Sequence, residues 1–133
     1  DFCREALERY EMPDRKRVLF DMNSIADGAQ MDFIPDEAID TVSITLGVNY
    51  LTDTRLVYEE LRRVLRPGGN VLIFGSDRCG YPDLITARFS ASLEARTLQE
   101  LGFSTWVDMY EYDTDLVHPV SYELIEAIKP EED

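Results

Sequence analysis

Val57–Gly75, VYEELRRVLRPGGNVLIFG, is the stretch that decides the fold. Its first part belongs to a helix expected over Thr52–Arg66. Leu56, Val57, Leu61, Val64 and Leu65 fall on one face, and Thr52 or Asp53 can cap the start. Arg62, Arg63 and Arg66 sit in the last turns, where cations favour the helix dipole. Pro67-Gly68-Gly69 is a stop signal, because proline cannot continue a helix and glycine accepts a left-handed conformation. Asn70–Gly75, NVLIFG, then reads as a buried strand.

Outward from this unit the chain alternates. Asp40–Leu46, DTVSITL, is β-branched, ends at Gly47 and predicts a second buried strand. Arg17–Phe20, RVLF, is a short apolar run ending at Asp21 and predicts a third. Asn23–Asp36 between them is polar, with Gly28 and Pro35, and reads as a loop holding at most one helical turn. Phe2–Glu11 has helical spacing, and Pro13 stops it. Pro82–Leu101 reads as helical with a break near Ser90–Ser92, and Gly102 ends it. Ser104–Tyr110 and Ser121–Ile128 are the last two strands, joined by an acidic loop. Strands alternating with helices predict one α/β domain over 1–133, its sheet mostly parallel with a C-terminal antiparallel hairpin.

Composition narrows the function. The 133 residues carry 27 acidic against 13 basic side chains, a net charge of −14. That balance excludes an electrostatic nucleic-acid binder and a protein held on anionic lipid by basic residues. With 44% hydrophobic residues the chain can build a core, and no apolar run approaches the length of a bilayer span. No secretory signal is read in DFCREALERYE, so the expected location is cytoplasmic. Cys3 and Cys79 lie in no metal-binding spacing and read as reduced thiols. His118, the sole histidine, reads as a solvated loop residue, and the acidic clusters as solvated surface.

Ligands of open α/β sheets bind beyond the carboxyl ends of the strands. Those ends are Asp21-Met22-Asn23, Gly47-Val48-Asn49-Tyr50 and Ser76-Asp77-Arg78. A carboxylate beside a methionine can accept a hydrogen bond while the thioether packs on a flat ring. The plain alternative for Asp21 is a loop or helix-capping aspartate. Among the spaced aromatics, most of which read as core, Tyr50 is the pocket candidate.

The motifs RVLFDMN, FIPDEAIDTVSITLGVNYLTD and VYEELRRVLRPGGNVLIFG, in this order and spacing, resemble the class I S-adenosylmethionine-dependent methyltransferases. Phe33-Ile34-Pro35-Asp36 and Ile39-Asp40 depart from the family's usual residues, whereas Val64-Leu65-Arg66-Pro67-Gly68-Gly69 matches in full. The resemblance implies a Rossmann-like fold and S-adenosyl-L-methionine as cofactor. It implies cofactor-binding roles for Asp1 (ribose hydroxyls), Asp21 (adenine amino group), Met22 (adenine face), Leu46 and Gly47 (methionine portion). Val48, Asn49 and Tyr50 would face a small-molecule substrate. No catalytic residue and no metal ligand is assigned.

The family's glycine-rich loop and its first two strands, except Asp1, are not matched, so the chain is expected to be a truncated domain, roughly the C-terminal two-thirds of the fold. RVLF would then lack its natural neighbour and the edge of DTVSITL would be open, a surface for homodimerisation or aggregation. The isolated chain is expected to be marginal unless RVLF pairs directly with DTVSITL. Two readings follow: a methyltransferase acting on a small molecule, or a non-catalytic methyltransferase-like binding or dimerisation module.

Overall fold

The computed structural model describes residues 18–76, 89–112 and 120–131. Four strands, β1 (Ile39–Thr45), β2 (Leu65–Ser76), β3 (Ser104–Tyr112) and β4 (Val120–Ile128), form one sheet in the order β1-β2-β4-β3. β1 and β2 run parallel, while β4 returns between β2 and β3 and is antiparallel to both. The expected hairpin is therefore wedged into the sheet, which makes the sheet mixed. Helix α1 (Thr54–Val64) connects β1 to β2, and α2 (Ala91–Glu100) lies between β2 and β3 in the chain.

Strand alternation puts Val71 and Ile73 of β2 on one face with Ile125 and Ala127 of β4, all fully buried. They share the core with Val57, Tyr58, Leu61 and Val64 of α1 and Leu98 of α2. On the opposite face Phe74 stacks on Tyr122, ring centroids 5.3 Å apart. No helix among the described residues is long and apolar enough to cross a membrane.

α1 begins where one of the two candidate caps places it. Asp53 Oδ1 accepts from the Leu56 amide at 3.1 Å. It ends at Val64, two residues earlier than expected, because Leu65 is already extended and paired with Ile39. Of the last carbonyls, those of Arg63 and Val64 accept from the Glu37 and Ala38 amides at 2.9 and 2.8 Å. Lys129, buried just past β4, donates from Nζ to Arg62 O at 2.8 Å and to Leu65 O, just beyond the helix, at 2.9 Å.

Pro67-Gly68-Gly69 thus lies inside β2, not at a helix stop. Gly68 has φ +82°, and a Cβ on Gly69 would sit 2.9 Å from the carbonyl oxygens of both Arg66 and Asp40. The ladder slips here, from Ile39↔Leu65 to Thr41↔Asn70. Gly68 and Gly69 also exchange backbone hydrogen bonds with Lys129. The motif lets three segments approach backbone to backbone, which side chains would prevent.

The described part of RVLF is not a strand. Val18–Phe20 carry no strand pairing, and Phe20 tilts against Phe33 at 5.6 Å. An apolar run becomes a strand only where a neighbour offers a ladder, and β1 pairs with β2 alone among the described residues. Beside β1 lies a largely apolar groove of about 510 Å³, lined by Met22, Met31, Ile34, Ile39, Val42 and Ile44 among others. The predicted loop turn is a six-residue 3-10 helix, Met22–Asp27, closed by Gly28. Ser90 caps α2, so the expected break near Ser90–Ser92 is where that helix starts. Asp1, the helix expected over Phe2–Glu11, Cys79, Pro82–Arg88 and His118 lie outside the described residues.

Candidate functional site

The carboxyl end of β1 sets the site. Leu46 continues the ladder by donating its amide to Phe74 O at 2.7 Å, then turns the chain with φ 55°. A left-handed leucine is costly, because its Cβ crowds the carbonyl. Its side chain nonetheless stays 46% exposed. Gly47 follows, and Val48–Tyr50 form one 3-10 turn in which the Tyr50 amide reaches Gly47 O at 3.2 Å.

Asp21 supplies the second part. It caps the Met22–Asp27 helix, its Oδ1 accepting from the Asn23 amide at 3.0 Å, and its side chain is exposed. The capping bond does not use all the acceptor positions of a carboxylate. Met22 is half-buried against the core beside it.

Asn23 joins the two parts. Its Nδ2 donates to Tyr50 O at 3.0 Å, and its Oδ1 accepts from the Thr52 amide at 2.9 Å. The turn bearing Asp21 and Met22 is thereby fastened to the segment leading from Gly47 to α1. Of the three residues expected to face substrate, Val48 and Asn49 are buried, Val48 in the core, whereas Tyr50 is half-buried.

A second tie holds the loop before β1. Glu60, buried on α1, accepts from the Met31 amide at 2.8 Å. Arg63 pairs with Glu60 and also donates to Met31 O, Ile34 O and Asp36. Hydrogen bonds from Arg63 hold the Glu60 carboxyl below its ordinary value, helped by the Met31 amide and opposed by burial. The same bonds to Glu60 and Asp36 push the Arg63 guanidinium up.

Asn23, Glu60 and Arg63 were not singled out as site residues from sequence. Glu60 and Arg63 are one helical turn apart, but the partners of the Asn23 side chain and the loop partners of Glu60 and Arg63 lie 27 to 32 residues away, so no local spacing reveals these ties. What the arrangement offers is an exposed carboxylate beside a thioether and an exposed leucine at the carboxyl edge of the sheet. The carboxylate can accept from an amino group, and the thioether and the leucine offer apolar surface.

Comparison with known proteins bears on the family. The model of a methyltransferase domain family matches residues 1–73. The demethylmenaquinone methyltransferase of Streptomyces griseus is 45% identical over 47 residues, 35% of this chain and 20% of that protein. The ubiquinone/menaquinone biosynthesis C-methyltransferase UbiE of Bordetella avium is 34% identical over 59 residues, 44% of this chain and 23% of its own length. The matched stretch thus spans about a fifth of these curated relatives. Among solved structures, a candidate methyltransferase of Bacillus halodurans superposes with TM-score 0.69 at 14% identity, over 96% of this chain and 77% of that one. With the family model matching more than half of its length, this chain belongs to the class I methyltransferase family, whose cofactor is S-adenosyl-L-methionine.

Proposed function

We propose that the chain is the later part of a methyltransferase that transfers a methyl group from S-adenosyl-L-methionine to a small molecule. The observation that carries this reading is the fastening of the Asp21-Met22 turn to the Gly47–Thr52 segment at the carboxyl end of β1. In this reading Asp21 accepts from the adenine amino group, Met22 packs on the ring, and Leu46 and Gly47 line the methionine portion. Tyr50 faces the methyl acceptor, and Asn49 backs it. The relatives named for demethylmenaquinone and for ubiquinone and menaquinone biosynthesis favour a small acceptor.

S-adenosyl-L-methionine supplies an electrophilic sulfonium methyl for in-line transfer. The chain's own share is to orient the ligand and exclude water, and this needs no assigned base. Among the described residues the groove beside β1 is open, with room for further strands of such a fold.

Calorimetric titration of S-adenosylhomocysteine into the chain tests the reading, with Asp21→Ala as control. Saturable binding that is lost in Asp21→Ala is the expected result. No binding by a chain shown to be folded would overturn the reading for this chain alone and favour the non-catalytic module.

A further inference from the structure

Asn23 has a position that neither the Asp21-Met22 pair nor the acceptor-side segment explains. Its backbone amide donates to Asp21 Oδ1 at 3.0 Å. Its side chain reaches across the site to Tyr50 O at 3.0 Å and the Thr52 amide at 2.9 Å. One residue therefore bonds both the carboxylate and the opposite wall.

The chemistry of the contact is selective. A carbonyl can only accept and a backbone amide can only donate, so the carboxamide orientation is dictated by its partners. A primary amide presents one donor and one acceptor side by side, matched to the Tyr50 carbonyl and the Thr52 amide of an extended segment. Aspartate would set a second acceptor against the Tyr50 carbonyl, and alanine would meet neither group. Thr52 immediately precedes Asp53, the cap of α1, so the contact also seats the loop on the helix start.

We propose that Asn23 is a positioning residue of the methyltransferase site, holding the acceptor-side segment Gly47–Thr52 in register with the cofactor-side turn. The role rests on the reading above. Its consequence is that the two walls respond together: a ligand seated on Asp21 steadies Tyr50 and Thr52, and by linkage an acceptor molecule on Tyr50 steadies Asp21.

Residue-resolved amide exchange on the full chain, comparing wild type, Asn23→Ala and Asn23→Asp, tests this. At pH 7 both variants should exchange the Thr52 amide about tenfold faster than wild type, once intrinsic rates are removed, while Val71 in the core is unchanged. Below a pH of about 4 a protonated aspartic acid carries one donor and one acceptor, like the amide it replaces. Protection at Thr52 should then return in Asn23→Asp and not in Asn23→Ala. A merely destabilised fold would not recover on acidification. Wild type serves as control for Asp21 and Asp53, the carboxylates adjoining the contact.

Equal Thr52 exchange in all three proteins, or no acid recovery in Asn23→Asp, would overturn the proposal. Adding S-adenosylhomocysteine separates it from the functional reading. Slowing of Thr52 exchange in wild type and not in Asn23→Ala supports both. The same slowing in both proteins overturns the positioning role alone. If wild type binds no S-adenosylhomocysteine, the functional reading fails for this chain, and the ligand-free pH comparison still decides on Asn23.

Discussion

Replacing Arg63 by methionine should unfasten the loop before β1 at a cost that depends on pH. The side chain of Glu60 is 7% exposed and that of Arg63 25%. The guanidinium gives two bonds to Glu60, at 2.5 and 3.1 Å, and one each to Met31 O, Ile34 O and Asp36. Methionine keeps much of the apolar stem, so the loss is chiefly electrostatic. Glu60 would keep the Met31 amide as donor while losing its counter-charge in a buried place. Removing one partner of a buried pair costs ~3–5 kcal/mol, and the partial exposure of Arg63 points to the lower end, about 3 kcal/mol at pH 7.

The pH dependence has a definite sign. In wild type the folded-state pKa of Glu60 lies below its ordinary 4.5, so the pair's contribution is complete above that value and is lost as pH falls through the depressed one. In Arg63→Met the lowering from Arg63 is gone and burial pushes Glu60 up. Protonation then relieves the variant, and the destabilisation should shrink between pH 7 and pH 4. Urea denaturation of both proteins across that range measures it, with Glu60→Gln/Arg63→Met closing a double-mutant cycle. A loss below about 1 kcal/mol at pH 7, or one independent of pH, would refute the reasoning. So would a double variant no more stable than Arg63→Met.

Two further outcomes follow from the same structure. Leu46→Gly removes a left-handed leucine but adds the flexibility of glycine to the unfolded chain. These effects oppose, and stability in urea should stay within about 1 kcal/mol of wild type, while S-adenosylhomocysteine binding weakens; unchanged binding would remove Leu46 from the site. Tyr58→Phe deletes the hydroxyl that donates to Glu94 at 3.0 Å in the core, and should cost about 2 kcal/mol in urea denaturation at pH 7. Burial, then the charge of Glu94, raises the Tyr58 hydroxyl pKa from its ordinary 10.0. Wild type should therefore lose stability as the pH rises above that value, and Tyr58→Phe should lose less.

Legibility in sequence followed the range of the interaction. α1, β1 and β2 could be read because periodicity, β-branching and the Asp53 cap are local signals. The Pro67-Gly68-Gly69 motif was visible, but its reason was not. Gly69 is required by the Arg66 and Asp40 carbonyls, and a contact between backbones has no signature beyond the glycine itself. RVLF misled because an apolar run reports burial and says nothing about a partner strand. Arg63 read as a cation at a helix end, whereas that place is filled by Lys129 from beyond β4 and Arg63 turns to the loop. Asp21 was legible through its neighbours in the resemblance. Asn23 was not, since an asparagine in a polar loop is ordinary and its partners are 27 and 29 residues away.

These ties have one direction in common. Asn23 fastens the cofactor-side turn to the segment entering α1, Glu60 and Arg63 fasten the Met31–Asp36 loop to α1, and Asp53 fixes the start of that helix. None of these bonds runs to the edge of β1 that is unpaired among the described residues. Met22, Met31 and Ile34 bring apolar side chains to the groove beside it. Whatever fills the groove adds burial, at about 25 cal/mol per Å², beside a turn that Asn23 fastens to Tyr50 and Thr52. Weak cofactor binding by this chain would accordingly reflect contacts that another segment supplies. A displaced Asp21 is the competing explanation, and Thr52 protection in the ligand-free chain separates the two: its retention beside weak binding assigns the deficit to the missing contacts.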